Sequence, residues 1–172
     1  IDATTVTLDD VGRIEGENAT ITASITSAPT DAPLVLTLSN GATITFNVGD
    51  TTATSTPFLV QTDDVYMDGG SYDVTITGHT GGDEFENLVL TDTATVTATD
   101  DTDPVMVGII ADGNVTEAMA ASFTVSVSET LDHDLTVNLS NGDSVTIAAG
   151  NLTANYTALP QGDDVYQDTS SV

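Results

Sequence analysis

Carboxylates are the side chains of this sequence that recur in numbers and at spacings suited to chemistry. Glu15 shares a segment with Asp9, Asp10 and Glu17, while Asp63, Asp64 and Asp68 form a second acidic segment and Asp100, Asp101 and Asp103 a third. The chain holds 27 Asp and Glu but a single basic residue, Arg13, for a formal net charge of −26. Ten carboxylates drawn to one place would repel strongly, and a hard divalent cation removes that repulsion. Calcium is the fitting ion, since it takes about six to eight oxygens from carboxylates, backbone carbonyls and water. The sequence has no Cys and two isolated His, His79 and His133, both expected in loops, so a zinc or copper site lacks its ligands. The competing reading is a plain solvated acidic surface, which is how most charge runs behave. Close carboxylate pairs could also serve glycoside hydrolysis. With 27 acids such pairs arise by chance, nothing marks one as buried, and no Ser stands in a nucleophile elbow. The residues therefore point to calcium binding without catalysis.

The elements that would position these acids are strands. Ala19, Ile21, Ala23 and Ile25 alternate with Thr and Ser, as do Leu34, Leu36 and Leu38, and then Ala42, Ile44, Phe46 and Val48. A period of two is the pattern of a half-buried strand. Asn40-Gly41 between two such runs is a hairpin signal. With Thr4 to Leu8 first, Phe58 and Val60, then Tyr72, Val74 and Ile76, and Leu88 to Ala98 last, residues 1–99 hold seven strands and no helical period. Seven short strands in about 100 residues fit an immunoglobulin-like sandwich.

The pattern then repeats. Asp63-Asp64-Val65-Tyr66 recurs as Asp163-Asp164-Val165-Tyr166, Ser39-Asn40-Gly41 as Ser140-Asn141-Gly142, and Glu15 finds a counterpart in Glu117. The fold class is thus all-β, a tandem pair of sandwiches, with one domain over 1–102 and a second over 103–172. The second shows strands over 105–110, 122–127, 135–139, 144–148 and 153–159 and lacks counterparts of the last two. Either the chain continues beyond this sequence, or a strand donated from another chain completes the sheet and covers its core. A tandem array of small domains supplies length or display more often than chemistry.

Tracing the seven strands up and down brings the three acidic segments to one end of the first sandwich. The opposite end carries Asp31, Asp50, Asp83, Glu84 and Glu86. In the second unit the corresponding end holds Glu129, Asp132 and Asp134, expected to share cations with Asp100, Asp101 and Asp103. The partners implied are neighbouring domains of the same chain. No polyanion suits this surface, so nucleic acid is excluded, and no run of about 18 apolar residues exists to insert in a membrane. Tyr66 and Tyr166 stand where a hydroxyl could tie down the corner between the fifth and sixth strands.

The segments "LTLSNGATITF", "DDVYMDGGSYDVTITGHTGGDEFENLVL" and "TATVTATDDTDPVMV" resemble the extender repeats of the giant RTX adhesins of Gram-negative bacteria, a group that includes biofilm and ice-binding adhesins. The resemblance implies calcium-rigidified immunoglobulin-like domains in long arrays, exported by type I secretion, folded outside the cell and displayed at its surface. The set Glu15, Asp63, Asp64, Asp68, Asp100 and Asp101 is also similar to Calx-β domains, which gather calcium at one end. By the same likeness Asp112, Glu117, Asp163, Asp164 and Asp168 form the equivalent set of the second unit, which departs from the family in lacking the "GG-x-FENL" segment and the final strand. The implied function is an extender that projects a distal ligand-binding domain for adhesion and biofilm formation. A carbohydrate- or protein-binding module is the rival, but with 5% aromatics and no Trp the chain offers little aromatic platform. A filament subunit completed by strand donation is the third reading.

Overall fold

A computed structural model of the chain describes residues 2–116, 118–160 and 162. These residues are strands and connecting turns, without a helix, and none forms a helix long and apolar enough to cross a membrane. The chain divides into two units, Ile1–Asp103 and Pro104–Val172.

The first unit is a two-layer sandwich. Its strands are β1 (Ala3–Leu8), β2 (Val11–Ile14), β3 (Asn18–Ala19), β4 (Thr22–Ile25), β5 (Leu34–Leu38), β6 (Thr43–Phe46), β7 (Thr52–Thr54), β8 (Phe58–Leu59), β9 (Ser71–Thr80), β10 (Asn87–Val89) and β11 (Thr93–Thr99). One sheet runs β10-β1-β4-β7, the other β2-β11-β9-β5-β6, and β3 pairs β8 in a short ladder beside them. The period-two runs place Val6, Ile21, Leu34, Leu36, Ile44, Phe46, Val74 and Val96 in the core with no exposed surface. Burying each such side chain stabilises the fold by about 1.5–3 kcal/mol. Thr and Ser take the outward positions, where β-branched residues suit a pleated surface.

Seven expected strands become eleven segments because several break as the chain moves between sheets. The Ala19–Ile25 run splits at Thr20 and Ile21, where the Ile21 amide turns to the buried Ser55 hydroxyl at 2.9 Å. The expected strand from Leu88 to Ala98 is two, with β10 on the first sheet and β11 on the second. The first strand does the same: β1 pairs β4, then β2 leaves to pair β11 in parallel. His79 lies within β9 rather than in a loop.

Asp9 and Asp10 occupy that first crossover, not the acidic end where the sequence put them. Their placement has a reason. A strand that changes sheets leaves ladder amides without carbonyl partners, and a buried unpaired amide is costly. Asp10 Oδ1 accepts the Thr95 amide of β11 at 2.7 Å, and Asp92 Oδ2, from the last crossover, accepts the Leu8 amide of β1 at 2.7 Å. Each crossover thus caps the strand of the other.

The second unit holds β12 (Val107–Ala111), β13 (Ser122–Val127), β14 (Leu135–Asn138), β15 (Ser144–Ile147) and β16 (Thr153–Thr157) among its described residues. They form a three-stranded sheet, β12-β13-β16, and a pair, β14-β15, around Val125, Val127, Val145 and Ile147.

The reciprocal caps generate a prediction. Asp10→Ala and Asp92→Ala should each lower the unfolding free energy of the first unit by about 1–3 kcal/mol, the range for a lost hydrogen bond to a charged acceptor. Asp83→Ala, at an exposed turn, should stay within about 0.5 kcal/mol of the parent. Urea denaturation of the three variants in one buffer measures the contrast.

Candidate metal centre

The acidic end of the first unit is set by the parallel pairing of its first and last strands. Val96↔Val11 through Thr99↔Ile14 keep β2 and β11 in step, and the Glu15 amide continues the ladder to the Thr99 carbonyl at 3.0 Å. Glu15 therefore leaves β2 at the level where Asp100 and Asp101 leave β11. The chain then turns back. The Glu17 amide donates to the Ile14 carbonyl at 3.2 Å, and the Glu17 carboxylate accepts the Ile14 amide at 3.3 Å. Gly16 makes the turn at φ +74°, and its amide reaches the Gln61 carbonyl at 2.9 Å. That bond draws in the second acidic segment, so close that a Cβ on Gly16 would stand 3.0 Å from Asp63 Cβ.

The second segment is braced by its own carboxylates. Asp64 Oδ1 accepts the Tyr66 amide at 2.8 Å, an Asx turn, and Asp68 Oδ1 accepts the Gln61 side-chain amide. Gly69 donates its amide to Asp100 Oδ1, tying the segment to the exit of β11. At this corner the Tyr72 hydroxyl donates to the Val60 carbonyl at 3.3 Å; burial raises the Tyr72 pKa.

Two sets of oxygens come together here. Glu15, Asp64 and Asp68 offer atoms that all lie within 4.8 Å of one another, and Glu15, Asp63 and Asp101 offer a second such set. Glu15 belongs to both. It is 4% exposed, and its Oε2 is buried without a hydrogen-bond partner. Burial raises its pKa; a backbone hydrogen bond with Asp101 opposes this, and the charges of Asp100, Asp64 and Asp68 add to it. A carboxylate so placed needs a proton or a cation. The surrounding cleft, about 600 Å³, is lined also by Asp100, Asp103, Tyr66 and Met67. Every acidic ligand expected in the first unit, Glu15, Asp63, Asp64, Asp68, Asp100, Asp101 and Asp103, thus lies at this end.

Elsewhere the carboxylates act differently. Asp134 Oδ1 accepts the Ala149 amide at 2.9 Å, and neither it nor Asp132 joins a set of three close ligands among the described residues. Asp112 Oδ1 accepts the Thr124 hydroxyl at 2.7 Å. At the other end of the first unit Glu86 accepts the Asp2 amide at 3.0 Å, and Asp50 accepts the Asn47 backbone amide at 3.2 Å. Glu117, Asp163, Asp164, Tyr166 and Asp168 lie outside the described residues. The sequence did not single out Gly16 and Gly69, whose lack of a side chain lets the segments close on one another. A Gly flanked by acids on both sides, as in Glu15-Gly16-Glu17, is the signal that was present.

Gly69 gives the sharper test. A Cβ there would stand 2.7 Å from Asp100 Oδ1 and 3.0 Å from the Ala98 carbonyl oxygen, so backbone must move. Gly69→Ala should cost about 1–3 kcal/mol in thermal or chemical unfolding. Gly70→Ala, whose Cβ would meet only the Asp68 carbonyl at 3.9 Å, should be tolerated.

Comparison with known proteins bears on both units. None of the curated proteins matches the chain. Among solved structures, a two-domain protein of unknown function from Bacteroides fragilis NCTC 9343 is similar at 11% identity and a TM-score of 0.38, over 92% of this chain and 82% of that one. The family model for the LapA domain matches residues 2–102 and again residues 103–172. Two successive matches that take in both acidic repeats make this chain a member of the LapA domain family, a tandem of adhesin-related domains associated with the cell surface.

Proposed function

We propose that the chain is a calcium-rigidified spacer segment of a surface adhesin of the RTX extender type, exported by type I secretion, that serves to hold a distal binding domain away from the cell. The observation that carries this reading is Glu15 Oε2, buried, unpartnered and shared by two carboxylate sets. An acidic patch alone would be explained by solvation. A buried orphan oxygen at its centre is not, because water does not reach it and protein does not satisfy it. The donor set is all oxygen, which suits calcium and not a soft metal. Glu15, Asp63, Asp64, Asp68 and Asp101 would hold the ions, with Asp100 and Asp103 at the rim.

What bound calcium supplies is mechanical. It would tie three segments distant in sequence to one point: the turn after β2, the corner before β9 and the exit of β11. With 27 acids and one base, self-repulsion opposes compaction until cations arrive. Folding would then be favoured where calcium is plentiful, outside the cell. The chain has no Cys, so disulfides cannot do this work.

Calcium should raise the unfolding temperature. A ligand that binds only the folded state at one hundred times Kd adds about 2.7 kcal/mol, or about 10–20 °C for a unit of this size. Scanning calorimetry with calcium, with magnesium and with excess chelator tests it. Magnesium should do less, since it prefers smaller, near-octahedral sites. Equal midpoints in calcium and chelator would remove the proposal.

Glu15→Gln separates a ligand from a merely awkward acid. The Glu15 pKa is raised in the folded state, so the folded protein holds a proton that the unfolded chain releases. Metal-free stability is then fullest below the unfolded-state pKa and falls as pH rises through the raised one. Without calcium the variant should be more stable than the parent near neutral pH, with the gap closing as pH falls. With calcium the order should reverse, with affinity at least about tenfold weaker, or 1.4 kcal/mol. Calorimetric titration showing unchanged affinity would assign Glu15 to structure alone.

A further inference from the structure

The two carboxylate sets at the end of the first unit are separate in space. One holds Glu15, Asp64 and Asp68, the other Glu15, Asp63 and Asp101. Within each set the ligand atoms lie within 4.8 Å of one another, and among the described residues no larger set forms. Two oxygens on opposite sides of one calcium stand about 4.6–5.2 Å apart, so each set has the span of a single ion. Charge points the same way. The five ionised side chains carry five negative charges; one divalent ion would leave three of them uncompensated, and two ions would leave one. Glu15 is the member common to both sets, 4% exposed, with its Oε2 buried and without a partner.

The sets also differ in how far the fold has prepared them. Asp64 is half-buried, and its Oδ1 accepts the Tyr66 amide at 2.8 Å, while Asp68 Oδ1 accepts the Gln61 side-chain amide. Both carboxylates are therefore oriented before an ion arrives. Asp63 and Asp101 are exposed, and among the described residues no hydrogen bond holds either carboxylate. An ion bound there must order two side chains, and that ordering lowers affinity. It must also bind beside an ion already on Glu15, and like charges repel. A backbone hydrogen bond between Asp101 and Glu15 keeps Asp101 within reach of such an ion.

We propose that this end of the first unit is a two-ion centre bridged by Glu15 and filled in order, calcium entering the Glu15, Asp64 and Asp68 set first and the Glu15, Asp63 and Asp101 set second. The inference rests on the calcium reading above and adds two thresholds to it. The first ion joins the turn after β2 to the corner before β9. The second adds the exit of β11, where Asp100 is tied to the Gly69 amide and Asp101 is the next residue. Between the two calcium levels the corner is stapled while the Asp101 side chain is still unliganded. The second step thus sets the calcium concentration at which the exit of the last strand becomes fixed.

Calcium titration of the full chain, followed by carbon NMR of the side-chain carboxylates, reads the two steps separately. The Asp64 and Asp68 carboxylate carbons should shift first, and those of Asp63 and Asp101 at a calcium concentration at least about tenfold higher. The Glu15 carboxylate carbon should shift in both steps. Asp101→Asn should weaken the second step at least about tenfold and leave the first within about twofold. Asp68→Asn, whose amide oxygen can still accept from Gln61, should weaken the first. One midpoint shared by all five carboxylates overturns the ordered two-ion centre while calcium binding itself stands. Loss of the first step in Asp101→Asn, or a response of Asp63 and Asp101 ahead of Asp64 and Asp68, overturns it as well. If none of the five responds to calcium, the calcium reading falls and this inference falls with it.

Discussion

The parallel pairing of the first and last strands is the constraint on which the first unit depends. It fixes where β2 and β11 end, because two strands paired in step must stop at the same level. Glu15 and the Asp100–Asp101 pair then become neighbours by geometry, not by sequence. The pairing is possible only because both strands change sheets on the way, and those changes leave amides that Asp10 and Asp92 satisfy. Two carboxylates in the body of the unit thus permit the gathering of seven at its end.

That gathering conflicts with the electrostatics of the folded chain. Hydrophobic burial in the core favours compaction, while close carboxylates of one sign oppose it. The conflict concentrates at Glu15, which burial holds among Asp64, Asp68 and Asp100 with one oxygen unmatched. Local hydrogen bonds relieve neighbouring acids: Asp64 serves Tyr66, Asp68 serves Gln61 and Asp100 serves Gly69. These bonds orient carboxylates without neutralising them. A unit braced in this way is ordered in shape yet unbalanced in charge, a state in which cations and stability are thermodynamically linked.

Much of this was legible in the sequence. The period-two runs locate the core residues, since Leu34, Leu36, Leu38, Ile44 and Phe46 alternate without interruption and all are buried. The expectation that the acidic segments share one end holds for Glu15, Asp63, Asp64, Asp68 and Asp101, since up-and-down tracing says which loops share an end, but not for Asp9 and Asp10 of the first segment. What escaped were the sheet changes. Leu88 to Ala98 reads as one strand, since nothing local distinguishes a strand that continues from one that crosses at Asp92 to another layer. Asp10 was misplaced for the same reason: an acid capping an amide 85 residues away looks like any loop acid. Glu15 was legible as an acid among acids, but its burial depends on Thr99 and Gln61, which only tertiary pairing brings near.

The two units also show that a strand's environment is not its own property. Val107 and Ile109 follow the alternation of Val6 and Leu8, sit in the same register against the next strand, and stay half exposed. Alternation commits a strand to having one apolar face; it does not supply what covers that face. In the first unit β9 and β11 do so, and the same two strands form part of the acidic end, since β11 carries Asp100 and Asp101 and the corner before β9 carries Asp63, Asp64 and Asp68. Covering the core and assembling the carboxylates are therefore one structural event. In the first unit, then, core and candidate metal centre stand or fall together.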